Sequence, residues 1–118
     1  IKNFIIIFSL CSLPKSKAIS EINLFISGTG NQKIINQAFN PSPSEVLVND
    51  VSIALCNICN LPNSSPNKIT LKFNSDINSC ENMFMDLNNI IEIDLSNFDA
   101  SKSICMSNMF NGCTSLKK

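Results

Sequence analysis

The chain has 118 residues, enough for one small domain and too few for two. Hydrophobic residues make up 44%, ordinary for a globular protein, but only 15% are charged, against about a quarter in a typical domain. Nine basic side chains offset nine acidic ones, so no net field would recruit nucleic acid or an anionic membrane surface, and the lack of histidine removes the usual general base and every Ser-His or Cys-His nucleophile pair.

The first eighteen residues are built like a secretory signal. Lys2 supplies a positive start, Phe4 to Leu13 forms an apolar core, and Ser16-Lys17-Ala18 places small residues where a signal peptidase reads. The stretch is too short to span a bilayer, which takes about 20 apolar residues. The mature chain is expected to begin near Ile19. Removing Cys11 with the leader leaves Cys56, Cys59, Cys80, Cys105 and Cys113, many thiols for a reducing cytosol. Asn63-Ser64-Ser65 is an N-glycosylation sequon in a Pro/Asn/Ser loop, meaningful in a eukaryotic host.

Four short alternating segments read as strands with one buried face: Ile22 to Ile26, Val46 to Val48, Ile69 to Phe73 and Ile91 to Leu95. Ser27-Gly28-Thr29-Gly30-Asn31 turns the chain after the first. Pro41-Ser42-Pro43 interrupts it before the second, and a loop with two prolines, from Leu61 to Asn67, precedes the third. Ile34-Ile35-x-x-Ala38-Phe39 has the spacing of one or two helical turns.

The second half repeats itself. Cys80-Glu81-Asn82-Met83-Phe84 aligns with Met106-Ser107-Asn108-Met109-Phe110 at an offset of 26 (108 − 82), which carries on to match Leu87 with Cys113 and Ile90 with Leu116. Upstream, Ile69-x-Leu71 matches Ile93-x-Leu95 at an offset of 24 (93 − 69). A period of about 20–29 with strand-like apolar spacing predicts a leucine-rich-repeat solenoid, because one strand-plus-turn unit cannot bury its own face and must stack. Asp94 to Ser101, followed by Met106 to Leu116, closely resembles the BspA-like leucine-rich repeat, a 26-residue repeat of bacterial and protist surface proteins. The resemblance is strong over residues 90–118, weaker over 69–89, and does not cover 19–68. It implies a secreted or surface-displayed array whose exposed face meets partners.

The expected fold is therefore α/β: a leucine-rich-repeat-like solenoid of short parallel strands and short helical turns behind a β-rich N-terminal cap, truncated at its last residue. Residues 1–18 are assigned to the signal peptide, 19–68 to the cap, and 69–118 to the first two, incomplete repeat units. On the exposed strand face, Lys72, Glu92, Asp94, Ser96 and Asn97 are the candidate binding residues, with Leu71, Ile93 and Leu95 turned inward.

Cys56-Asn57-Ile58-Cys59 is the one motif that invites chemistry. A thioredoxin-like pair needs a helix start in a βαβ setting, and a zinc site needs a second pair or a histidine. The favoured reading is structural, with one of the pair bridged to Cys80 or to the other. Cys113, Met83, Phe84, Met109 and Phe110 read as interior residues of the stack rather than a redox thiol or a ligand groove. Gly28-Thr29-Gly30 lacks the third glycine of a dinucleotide loop.

The expected function is non-catalytic: a secreted or cell-surface protein mediating recognition or adhesion. The alternatives are a secreted thiol-disulfide protein using Cys56 and Cys59, or a purely structural surface or matrix component. No cofactor and no metal are expected. The partner would be a protein or cell-surface ligand, with membrane association only through an anchor outside these residues.

Overall fold

The computed structural model describes residues 20–62, 66–103 and 105–117. The expected leader and the Asn63 sequon lie outside the described residues. Seven strands follow in chain order: β1 (Ser20–Ile26), β2 (Gly30–Lys33), β3 (Glu45–Val48), β4 (Val51–Ile53), β5 (Ile58–Leu61), β6 (Asn67–Phe73) and β7 (Ile90–Asp94). Strands β4-β3-β6-β1-β7 form a five-stranded sheet, and β2 pairs with β5 in a separate ribbon.

This architecture corrects the expected fold class. The described residues are all-β, with no α-helix, and every strand pair is antiparallel, so the chain is neither α/β nor a leucine-rich-repeat solenoid. The reason lies in β1. Its alternation Ser20, Ile22, Leu24, Ile26 on one face and Glu21, Asn23, Phe25 on the other lets it zip against two strands at once. It pairs with β6 through Ile22↔Leu71 and Leu24↔Ile69, and with β7 through Leu24↔Ile93. The strands bearing Leu71 and Ile93, expected as parallel neighbours, are thus held apart by an intervening antiparallel strand. Leu95, expected inside, falls just past β7 and is 37% exposed.

The other elements follow from local chemistry. Asn49 and Asp50 both have positive φ (51° and 69°), the geometry of a two-residue hairpin loop that Asn and Asp tolerate, and they join β3 to β4. The Asn49 side chain donates to Asn67 Oδ1 at 2.8 Å and accepts from the Lys68 amide at 2.9 Å, which ties this hairpin to β6. Ile34 and Ile35 are buried but not helical. They lie in an irregular segment after β2, with Ile34 N–H donating to Asn57 O and Asn36 N–H to Met83 O, both at 2.9 Å.

One continuous core joins the inner sheet face (Ile22, Leu24, Val46, Ile69, Leu71, Phe73) to the turn layer of Ile77, Cys80, Met83, Phe84 and Leu87. Phe39 closes one end, edge-on to Phe73 with ring centroids 6.4 Å apart. Residue 69, where the repeat units were expected to start, lies within β6, the central strand.

The 26-residue offset is visible in the backbone of the turn layer. Met83 N–H to Cys80 O, Met85 N–H to Asn82 O and Leu87 N–H to Phe84 O recur as Met109 to Met106, Asn111 to Asn108 and Cys113 to Phe110. Positive φ recurs as well, at Asn82 and Asn108 (60° and 58°) and at Asp86 and Gly112 (63° and 81°). The two turns lie side by side, with Cys80, Asn82, Phe84 and Asp86 donating to the carbonyls of Cys105, Ser107, Met109 and Asn111 at 2.7–3.0 Å. These are stacked turns with no helix, attached to an antiparallel sheet.

Candidate functional site: the outer face of the sheet

With the inner face sealed, the pleat sends alternate residues outward. The pairing registers arrange them in rows. One row runs Glu45, Lys72, Glu21, the next Ser52, Leu47, Thr70, Asn23, Asp94, and a third Lys68, Phe25, Glu92. The face is half-exposed over much of its extent and mixes charge with one aromatic ring and one leucine. Thr70, in the middle, is buried and donates its hydroxyl to Asn23 Oδ1 at 2.7 Å, which fixes that amide beside Asp94.

Both lysines are committed toward the β3–β4 side. Lys72 Nζ lies 3.5 Å from Glu45, and Lys68 Nζ lies 3.1 Å from Asp50. Glu92 and Asp94, on β7, form no such ion pair among the described residues. The β7 side of the face is therefore the acidic side. Asp94 is held below the usual carboxylate range by its hydrogen bonds from Ser96, side chain first and then backbone, the latter at 2.9 Å.

Of the expected binding residues, Lys72, Glu92 and Asp94 share this face, with β1 inserted between the first and the other two. Ser96 caps the Asp94 carboxylate. Asn97 is exposed, and its carbonyl accepts from the Glu21 amide at 3.1 Å, holding the start of β1. Phe25, Asn23, Thr70 and Lys68 went unrecognised in the sequence as parts of the same surface. Their signal was the outward half of the alternation in Ile22 to Ile26 and Ile69 to Phe73, which assigns a face but not a neighbour.

Cys56 and Cys59 are bonded to each other, with Cα atoms 5.5 Å apart, and Cys80 takes no part in the bridge. Cys80 is a buried thiol 3.3 Å from Ser103 Oγ. The bridge spans the approach to β5, and Cys59 within that strand is 2% exposed. Among the described residues no helix start faces either sulfur. The bridge is consistent with an oxidising, extracellular setting.

A cleft of about 250 Å³ lies between the segment after β2 and the first turn, bordered by Lys33, Asn36, Ile58 and Asp86. It is smaller than the roughly 300–1,000 Å³ of typical small-molecule sites. Among the described residues no three His, Cys, Asp or Glu side chains gather to hold a metal ion. No protein family, no curated protein and no solved structure matches this chain.

Proposed function

We propose that this protein is a non-catalytic recognition domain, exported from the cell, that binds a protein or cell-surface ligand through the outer face of its five-stranded sheet. The observation that carries the reading is the arrangement of that face. Phe25 lies in one row between Lys68 and Glu92, Lys68 and Lys72 form ion pairs with Asp50 and Glu45 on one side, and Glu92 and Asp94 on the other form none among the described residues. A broad, mixed surface with an aromatic ring inside a charged rim suits a macromolecule, which can cover the ring and leave the rim wet. The acidic β7 side selects a ligand that presents lysine or arginine there.

Export is supported by the leader-like residues 1–18 and by the oxidised Cys56–Cys59 pair. Display at a surface is what the sequence resemblance of residues 90–118 to BspA-like proteins implies.

The test applies fluorescently labelled protein, purified with its bridge intact, to intact cells that express it. Saturable binding is expected, and it should fall at least about tenfold in a triple variant, Phe25→Ala with Glu92→Lys and Asp94→Lys, that retains its thermal midpoint. Undiminished binding by the variant would place the contact elsewhere. Turnover of insulin disulfides that disappears in Cys59→Ser would overturn the non-catalytic reading.

A further inference from the structure

Strand β4 forms one edge of the five-stranded sheet, on the far side from β7, where Lys117 N–H donates to Ile91 O at 2.9 Å. The hairpin register fixes which way its backbone points. Val48 and Val51 close the two-residue loop, so they exchange N–H···O bonds across the hairpin, as do Val46 and Ile53. The alternation along β3 agrees, since Asn49 N–H donates to Lys68 O, on the opposite side, at 2.8 Å. Ser52 therefore turns its N–H and its carbonyl away from β3. Among the described residues no backbone group meets them, nor those of Ala54.

The side chains of this edge are apolar and uncovered. Val51 and Ile53 lie on the inner face, opposite the buried Val48 and Val46. The core stops short of the edge, however: Val51 is 64% exposed, Ile53 is half-buried, and Leu55, two residues on, is 60% exposed. Open strand edges are usually guarded by lysine, proline or a bulge. Residues 51–57, Val-Ser-Ile-Ala-Leu-Cys-Asn, hold no charge and no proline, and the pairing of β3 with β4 runs without a bulge.

We infer that β4 is a docking edge for a second copy of this chain, β4 against β4 about a two-fold axis at Ile53, which joins two sheets into one. The segment is complementary to itself. Val51 and Leu55 flank Ile53 at equal spacing, so an antiparallel copy places Leu55 over Val51 and Val51 over Leu55, while the two Ile53 side chains meet on the axis. Ser52 of each copy exchanges N–H···O bonds with Ala54 of the other, and β4 lengthens to Leu55. Both exposed side chains are covered in this register, and the uncharged segment opposes no like charges. An edge this short buries little area, so the dimer is a weak one that forms with rising concentration.

The experiment follows the purified protein, bridge intact, by analytical ultracentrifugation from about 10 μM to about 1 mM. The mass is expected to climb from that of one chain towards twice that value, and amide exchange at Ser52 and Ala54 to slow with it. Ser52→Pro should hold the protein monomeric at an unchanged thermal midpoint, because the N–H it removes points away from the β3 ladder. Charge reads the register. Val51→Lys alone and Leu55→Glu alone should each weaken self-association at least about tenfold. Mixing the two should restore a dimer, since the new lysine then faces the new glutamate and the unchanged leucine faces the unchanged valine. A protein monomeric at every concentration, a dimer that survives Ser52→Pro, or a mixture no tighter than either variant would overturn the inference. Protection of Ser52 and Ala54 by an alternating valine–threonine peptide, in a protein that stays monomeric alone, would show a foreign strand as the occupant and would equally overturn it.

Discussion

Phe84 and Phe110 lie with ring centroids 6.1 Å apart and planes 11° from parallel, yet Phe84 has no exposed surface and Phe110 shows 37% of its own. The difference separates a ring closed in on both sides from one that serves as a lid. Phe84→Ala should cost about 3–5 kcal/mol, since the core cannot collapse around a missing ring whose other neighbours sit on fixed strands. Phe110→Ala removes one side of a stack and little enclosed volume, and should cost about 1–2 kcal/mol. Urea unfolding of the two variants checks the order. An equal or larger loss for Phe110→Ala would mean that the second turn, not the first, anchors the layer.

Gly112 has φ of 81°, and a Cβ placed there would come within 2.9 Å of Asp86 Cα in the neighbouring turn. Both the left-handed conformation and the close approach require glycine. Gly112→Ala should destabilise the protein by about 1–3 kcal/mol. Gly30→Ala provides the comparison, because it also has positive φ (69°) but meets nothing within 4 Å. The second change should cost about 1 kcal/mol, the conformational share alone. Thermal unfolding of both variants separates the steric part from the backbone part.

The four expected strands all exist, because each carries alternation strong enough to define a buried face in isolation. Their neighbours were not legible. Pairing depends on which strand reaches which edge, and Ile22 to Ile26 has the same apolar pattern whether it caps a stack or splits one. The missed strands are those with weak patterns: polar Gly30–Lys33, three-residue Val51–Ile53, and Ile58–Leu61, only four residues long and interrupted by a cysteine and an asparagine. For β4 a signal was available in Val48-Asn49-Asp50-Val51, a two-residue hairpin loop flanked by valines. The 26-residue offset was legible because it fixes local turn geometry down to which residues take positive φ, and local geometry needs no partner. For the candidate site, alternation placed Lys72, Glu92 and Asp94 outward, but only the inserted β1 supplies the Phe25 that lies among them.

The three free thiols among the described residues differ in access, and their chemistry should follow. Cys80 is sealed in the core. Cys113 is half-buried, with its thiol 3.0 Å from the Phe84 carbonyl and its pKa pushed up chiefly by burial. Cys105 is half-buried near the surface, 3.3 Å from Ser107 Oγ. A maleimide added to the folded protein at neutral pH should modify Cys105 first, Cys113 more slowly because its raised pKa leaves less of the reactive thiolate, and Cys80 only on unfolding because the core hides it. Peptide mapping by mass spectrometry reads the order. Rapid modification of Cys80 would contradict its place beneath the first turn.

Asp94 and Asp99 build the same short turn five residues apart, each accepting the amide of the serine two residues on at 2.9 Å. Both carboxylates are held below the ordinary aspartate range, Asp94 first by the Ser96 side chain and Asp99 first by the Ser101 side chain. The sign follows from linkage: a carboxylate whose folded pKa lies below its unfolded value contributes stability that is complete above the unfolded value and lost as pH falls through the folded one. These turns should therefore hold unchanged from neutral pH down to the ordinary aspartate range and open only below it. The Ser96 and Ser101 amide protons, followed by NMR during acidification, report each turn separately, and both midpoints are expected below that of an unperturbed aspartate. Asp94→Asn and Asp99→Asn should each remove the transition at one serine and leave the other. Because Asp94 also lies on the face proposed to meet the ligand, its charge there should persist through the same range, down to the pH at which the Ser96 amide begins to move. Binding lost well above that pH would show that a group other than Asp94 sets the acidity of the face.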